Sequence, residues 1–481
     1  MKEILNYING EFCKPSDGSF LENENPATGK VYSKIANSNS EDAMKAIESA
    51  HRAFPPWKAT PLHERIRVIR KVASLIKEKE AELAKAESID NGKPLSVASS
   101  VDIPRASQNF EYFCDAITQY NQNAYPMDDF ALNYTLKEPL GAVVCISPWN
   151  LPLYLLTWKI APALVVGNTV IAKPSEVTPM TAFMLSEIFQ EAGLPNGVIN
   201  ILHGEGARIG ETLVNDERVK AVSFTGSTAT GKILNQLAAP HFKKVSLEMG
   251  GKNPNIIFDD CDYDQALKHA GLASFANQGQ ICLCGSRLFV HESLYEKFKK
   301  DLVEKASKLT PGNPLDAKTR QGAIVSKEHF KKILSFIELA KEEGGKILCG
   351  GEAYKPQGEN ENGYFIKPTI IESLDPYCRV NQEEIFGPVV TITPFKDEEE
   401  VITWANSTEY GLSSSIWTKD INKAHRVAGK IDAGIVWINT WMLRDLRTPF
   451  GGMKNSGVGR EGGFNAFNFF TETKNVCIKY N

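Results

Sequence analysis

At 481 residues the chain is too long for one simple domain, and its 42% hydrophobic and 23% charged residues exclude a disordered or membrane-embedded protein. A net charge of −4 gives no electrostatic case for nucleic acid or an anionic membrane. The N-terminal Met1-Lys2-Glu3-Ile4-Leu5-Asn6 has no apolar signal core, and no apolar run is long enough to span a bilayer. Nine scattered cysteines without a CxxC pair suit reduced thiols in a cytoplasm, and eight histidines form no ligand-spaced cluster, so no metal is expected.

In chain order, Tyr7 to Phe12 reads as a hairpin with Asn9-Gly10 at its turn. Leu62 to Lys85 carries Ile66, Ile69, Val72, Leu75 and Ile76 on one helical face and ends before the breaker Asp90-Asn91-Gly92. Pro104 to Tyr120 is a second helix, with Arg105 near its start. From Gly141 the texture changes to short apolar runs: 142–146, 169–172, 198–202, 221–224 and 245–247. Helix-compatible stretches such as Thr181 to Ala192 separate most of them. Their starts lie roughly 25 residues apart, the cadence of βα units and a parallel sheet. Such a sheet binds ligands beyond the carboxyl ends of its strands, so residues just after each run are the informative ones.

Those positions hold Pro148-Trp149-Asn150, then Lys173-Pro174-Ser175-Glu176, then Thr225-Gly226-Ser227. The last is a strand-to-helix turn whose backbone N–H groups can face a pyrophosphate. A plain tight turn is the alternative. Gly226 through Lys232 fits part of a Walker loop, but Ile233 stands where a magnesium-binding hydroxyl belongs, which excludes a nucleoside triphosphatase. A second unit, about 251–450, contains Gly279-Gln280-Ile281-Cys282 and Glu383-Glu384-Ile385-Phe386-Gly387-Pro388. The thiol of Cys282 and the carboxylate of Glu248, 34 residues earlier, can make and then hydrolyse an acyl-enzyme. Alone that pairing is not specific, since a single cysteine is more often a small buried hydrophobe. The tail from Phe467 to Tyr480 reads as a strand that needs a partner, expected from a neighbouring subunit.

Seven motifs in order change the weighting: Pro148-Trp149-Asn150, Lys173-Pro174-Ser175-Glu176, Phe224-Thr225-Gly226-Ser227, Glu248-Met249-Gly250-Gly251-Lys252, Gly279-Gln280-Ile281-Cys282, Glu384-Ile385-Phe386-Gly387-Pro388 and Pro449-Phe450-Gly451-Gly452. With them the chain resembles the aldehyde dehydrogenase superfamily over nearly its whole length. Within it, Ser274 through Arg287, Ala239 through Lys244 and Leu443 through Phe450 look most like the 2-aminomuconic and 2-hydroxymuconic semialdehyde dehydrogenases, with betaine aldehyde dehydrogenases as near relatives. The resemblance implies an α/β fold: a Rossmann-like NAD-binding domain over 1–120 and 140–250, an α/β catalytic domain over 251–450, and a β-strand oligomerisation arm over 121–139 and 466–481. It implies a homodimer or homotetramer acting on a small aldehyde.

The resemblance also implies roles. Cys282 is the nucleophile, Asn150 and the Cys282 backbone form an oxyanion hole, and Glu248 activates the hydrolytic water. Family members that pass the acyl group to coenzyme A lack this carboxylate, so Glu248 favours a free acid as product. Lys173 and Glu176 fall to the adenosine ribose of NAD, where Glu176 repels a 2′-phosphate and Lys173 tolerates it, and Ser175 between them is also cofactor-binding. Gly226 and Ser227 fall to the pyrophosphate, Trp149 to the cofactor pocket, Glu384 and Phe386 to the nicotinamide ribose and ring. Lys159 resembles a family lysine near the catalytic centre, with an ordinary helix lysine as the alternative. Arg105 and Arg444 fall at the mouth of the substrate tunnel, where bidentate guanidinium forks would take a carboxylated semialdehyde and repel a quaternary ammonium aldehyde. The alternative is a pair of structural salt bridges to Asp102 and Asp445, and Arg447 is a possible stand-in for Arg444. Competing readings are a dehydrogenase for betaine aldehyde or an aminoaldehyde, and a non-catalytic protein on the same fold. The last would be expected to lose Cys282, Glu248 or Asn150.

Overall fold

The computed structural model describes residues 1–480. The five apolar runs form the strands Ala142–Ile146, Thr169–Lys173, Ile199–Ile201, Val219–Thr225 and Lys244–Glu248, all mutually parallel. Both of their faces are covered. Val143 and Val170 point into one apolar core, Val144 and Ile171 into another. Burial on both sides is why these strands read as continuous apolar runs. The N-terminal hairpin, Asn6–Ile8 and Glu11–Cys13, adds two antiparallel strands at one edge. Its turn uses positive φ at Asn9 (53°) and Gly10 (84°), as a two-residue hairpin requires. Gly457–Val458 closes the other edge, also antiparallel, so the chain returns to this sheet after crossing the second unit.

Strand order fixes where a ligand can enter. The chain lays down Ala142–Ile146, builds outward through Thr169–Lys173 and Ile199–Ile201, then crosses back to place Val219–Thr225 on the other side of Ala142–Ile146. That reversal is a topological switch point, and the residues just beyond it are Trp149-Asn150 and Gly226-Ser227. The second sheet has seven strands in the order Lys346–Cys349, Thr369–Glu372, Val389–Phe395, Arg287–His291, Pro254–Ile257, Ser413–Trp417, Ile435–Ile438. All but the first are parallel. Here the candidate residues precede the strands: Cys282 before Arg287–His291, and Glu384 and Phe386 before its neighbour Val389–Phe395. The first sheet offers its carboxyl end and the second its amino end.

Three sequence expectations need correction. The helix expected over 62–85 is two helices, Leu62–Glu78 and Glu80–Asn91, divided at Lys79. Asp90 and Asn91 are its last turn rather than its breaker. The stop is Gly92 at φ 84°, whose N–H bonds the Ser88 carbonyl. The C-terminal strand, Thr471–Lys479, pairs along one edge with Ala131–Pro139 of the same chain, and its other edge is open. With Ala124–Met127 they make a three-stranded antiparallel sheet, while residues 467–469, expected to open the tail strand, end the helix Gly463–Phe469, which is buried against the first unit through Ala466 and Phe467. No helix among the described residues is long and apolar enough to cross a membrane.

Candidate active site

Cys282 follows three consecutive left-handed residues, Asn277 (φ 49°), Gln278 (φ 57°) and Gly279 (φ 69°). Two of these are not glycine, a strain that persists only where the surroundings enforce it. At Gly279 a Cβ would lie 2.0 Å from the Gly387 carbonyl oxygen, so glycine is required there. Asn253 fixes the far side, its Nδ2 donating to the carbonyls of Cys282 (2.7 Å) and Cys284 (2.8 Å). Cys284 lies buried among Ile281, Leu283, Leu412, Trp437 and Phe450, which supports its packing role. The Cys282 thiol is pushed up to about 12 by burial, with the Glu384 and Glu248 carboxylates adding to the shift and Arg444 opposing it. At neutral pH the resting thiol is protonated.

Asn150 is knitted to this segment. Its Nδ2 donates to the Gln280 carbonyl at 3.0 Å, and its own carbonyl accepts from Asn277 Nδ2 (3.2 Å) and Lys93 Nζ (2.9 Å). The second Nδ2–H is left over, and Asn150 and Cys282 line one cleft. Lys93 is fully buried and ion-paired to Asp102, with Glu87 at 3.7 Å. Asn91 Nδ2 holds the Trp149 carbonyl at 2.8 Å. Sequence reasoning read Asn91-Gly92 as a breaker and passed over Lys93. Asn91 and Lys93 instead clamp two successive carbonyls beneath the Asn150 side chain.

Glu248 ends its strand almost fully buried, and neither carboxylate oxygen has a hydrogen-bond partner. Burial and the Glu461 carboxylate push its pKa well above the usual carboxylate range; Lys159, Arg460 and Arg444 offset part of this. Lys159 is buried in the helix Pro152–Val165, and its Nζ bonds Glu461 Oε1 at 2.6 Å and Ser223 Oγ at 3.1 Å. It is therefore no ordinary helix lysine. Glu461 was missed, lying beyond the last motif with nothing local to mark it. An unpaired buried carboxylate with a raised proton affinity, near a thiol, is suited to proton abstraction.

The cleft has a volume of about 230 Å³ and runs from Cys282 and Asn150 past Trp149 and Phe386 to Thr225, Gly226 and Ser227. Ser227 caps the helix Thr228–Ala238, its Oγ accepting the Thr230 N–H at 3.2 Å, so a helix N-terminus opens on the cleft. Phe386 (φ 62°) stands edge-on to the Trp149 ring at 5.2 Å, and its carbonyl accepts His329 Nε2 at 2.7 Å. Glu384, half-buried, lines the same cleft, where Oε1 accepts the Gly251 N–H at 2.9 Å; a Cβ on Gly250 would strike its carboxylate. His329 and Lys332, both in the helix Lys327–Glu342, also line the cleft and were not foreseen. At the end of Thr169–Lys173, Lys173 Nζ pairs with Glu176 at 2.9 Å, while Ser175 Oγ closes a local turn by accepting the Val177 N–H.

Arg105 and Arg444 come together on one side chain. Arg444 Nη1 donates to the Tyr154 hydroxyl at 2.9 Å, and the Arg105 guanidinium lies 5.8 Å from the Tyr154 ring centre. Neither arginine pairs with a carboxylate among the described residues. Asp102 is taken by Lys93 and Asp445 by Arg447, so the salt-bridge alternative does not hold, and the exposed Arg447 is not free to replace Arg444. The Arg444 charge reaches both Cys282 and Glu248, lowering the pKa of each.

The chain is 48% identical to the 2-aminomuconic semialdehyde dehydrogenase of Danio rerio, covering 99% of this chain and 98% of that protein. It is 43% identical to the 2-hydroxymuconic semialdehyde dehydrogenase of Pseudomonas sp. strain CF600, over the whole of both. The NAD+ complex of an aldehyde dehydrogenase from Bacillus cereus superposes with a TM-score of 0.96 at 41% identity, covering all of this chain and 97% of that one. Residues 12–476 match the aldehyde dehydrogenase family, and the chain belongs to that family.

Proposed function

We propose that the protein oxidises a carboxylated semialdehyde, 2-aminomuconic or 2-hydroxymuconic, to the free acid with NAD. The observation that carries the substrate class is the pair of guanidiniums on Tyr154, unpaired with protein carboxylates, with the Arg444 charge felt at Cys282 and Glu248. A guanidinium fork matches a carboxylate, and two of them repel a cationic aldehyde.

The residues present fit a dinucleotide. A helix N-terminus at Ser227 suits the pyrophosphate, Glu176 suits ribose hydroxyls, and the Trp149–Phe386 pair offers an aromatic wall beside Cys282. Lys173 is tied to Glu176, so the carboxylate governs the ribose end and disfavours a 2′-phosphate. When bound, the nicotinamide supplies the acceptor for the hydride that leaves the substrate carbon.

Cys282 Sγ gives its proton to solvent and attacks the aldehyde carbon, giving a thiohemiacetal whose oxygen carries the negative charge. That oxygen is met by the spare Asn150 Nδ2–H and the Cys282 backbone N–H. One such donor is worth roughly 100- to 1000-fold in rate. Oxidation at that carbon leaves a thioester on Cys282. Glu248 takes a proton from water, the hydroxyl adds to the acyl carbon, and the acid departs as the thiol reforms, a step worth roughly 100- to 10,000-fold. Glu461, buried with Lys159, keeps the proton affinity of Glu248 high enough for that task.

We also read the three-stranded sheet as a contact between copies in a homodimer or homotetramer. Its outer strands have one unpaired edge each, and Tyr125, Met127, Phe130 and Ile478 are exposed on it.

NAD reduction with 2-hydroxymuconic semialdehyde tests the substrate, comparing the native protein with Arg444→Ala. Strong native turnover, with the variant losing mainly apparent affinity, is expected. No native turnover beside good turnover of betaine aldehyde would overturn the substrate class.

A further inference from the structure

We propose that Tyr154 is the specificity residue that makes one carboxylate receptor of two separate arginines; this rests on the carboxylated-substrate reading above. Arg105 and Arg444 are 339 positions apart by their numbers and sit on different elements, a helix and a loop. Left alone, two flexible guanidiniums repel each other and gain nothing by converging. Tyr154 lies between them in the helix Pro152–Val165, 4% exposed.

Its two chemical faces are used differently. The phenol oxygen accepts the Arg444 Nη1–H at 2.9 Å, while the ring face takes the Arg105 guanidinium at 5.8 Å. Trp158, one turn along the same helix, stands 5.8 Å from the Arg444 guanidinium, and Phe450 lies 4.1 Å from it on another element. Arg444 is thus held by aromatic faces and one neutral oxygen, which fix its direction without neutralising it. The Arg105 side is set by backbone. Asn109, one turn after Arg105, donates its Nδ2 to the Tyr154 carbonyl at 3.0 Å and to Thr157 Oγ1 at 3.1 Å. That cross-link locks the two helices together where Arg105 meets the tyrosine.

The hydroxyl has a further capacity. It accepts from Arg444, and its own proton has no acceptor among the described residues. A carboxylate drawn to Arg444 therefore meets a third donor, the Tyr154 O–H, pointed by the same hydrogen bond that aims the guanidinium. A phenylalanine would keep the packing and the Arg105 contact but lose both functions of the oxygen.

The test is steady-state kinetics of Tyr154→Phe against the native protein, with 2-hydroxymuconic semialdehyde and with propanal. Losing hydrogen bonds to charged groups predicts an apparent KM roughly tenfold or more higher for the carboxylated substrate, with kcat within about threefold. Any loss with propanal should be clearly smaller than the loss with the carboxylated aldehyde. An unchanged KM for the carboxylated aldehyde, or an equal loss on both substrates, overturns the proposal. Arg444→Ala run in parallel separates the failures. If that variant discriminates between the substrates and Tyr154→Phe does not, only the role of Tyr154 falls. If neither discriminates, the two-arginine receptor falls and takes this proposal with it.

Discussion

At the scale of single residues, the site couples a thiol and a carboxylate whose ionisation burial opposes. Cys282 is pushed up to about 12 and Glu248 well above the usual carboxylate range, so each resting group holds its proton more firmly than in water. Glu461 is the tunable part. Its negative charge raises the proton affinity of Glu248, so Glu461→Gln removes a repulsion and lowers the pKa of Glu248. The now unpaired Lys159 pushes in the same direction. The acid limb of thioester hydrolysis, where Glu248 must be ionised, should therefore move to lower pH in that variant. Pre-steady-state deacylation rates across pH measure this, and an acid limb that stays or moves up would contradict the assignment. Cys282, Asn150 and Glu248 were legible through the resemblance rather than alone, and Cys282 and Asn150 meet in one cleft. Glu461 was not, because its partnership with Lys159, itself named only from the resemblance, spans 302 positions and its meaning lies in being buried with it.

At the scale of elements, the strands of the first sheet were legible because burial on both faces writes an uninterrupted apolar run. The clamp under Asn150 was not. It depends on where the helix Glu80–Asn91 stops, and only the fold shows that Asn91 and Lys93 then reach the carbonyls of Trp149 and Asn150. Lys93 also compensates the buried carboxylates Asp102 and Glu87. Replacing it with methionine leaves them unpaired, which costs about 3–5 kcal/mol of stability. Chemical denaturation should show that loss. A second variant, Asn91→Ala, keeps the ion cluster intact and should reduce kcat while leaving most of the stability. The same unfolding curve for Lys93→Met and native protein would remove the clamp from the account. Likewise, the helix carrying His329 and Lys332 gave an ordinary amphipathic signal, and nothing in it announced that one end faces the cleft.

At the scale of the whole molecule, two sheets meet with opposite polarity. The first brings Asn150, Gly226 and Glu248 from strand ends, and the second brings Cys282, Glu384 and Phe386 from strand beginnings. The sequence rule that ligands gather beyond carboxyl ends therefore accounted for one wall of the cleft and not the other. The C-terminal strand illustrates the same limit. Its alternation marked it as a strand, but pairing with Ala131–Pro139, more than 300 positions away, is a property of the fold. The sheet it completes still has open edges. Removing residues 471–481 strips one outer strand and should lower the assembly state seen by light scattering, whereas an unchanged mass would place the contact between copies elsewhere.

The central claim is that oxidation passes through an acyl group on Cys282 that Glu248 releases. The most direct measurement is a single turnover of Glu248→Gln with NAD and 2-hydroxymuconic semialdehyde, followed by intact-protein and peptide mass spectrometry. One NADH per active site, no sustained turnover, and one acyl group on the Cys282 peptide are the predicted result. Sustained native-rate turnover with no adduct, or an adduct on Cys284 instead, would contradict the account.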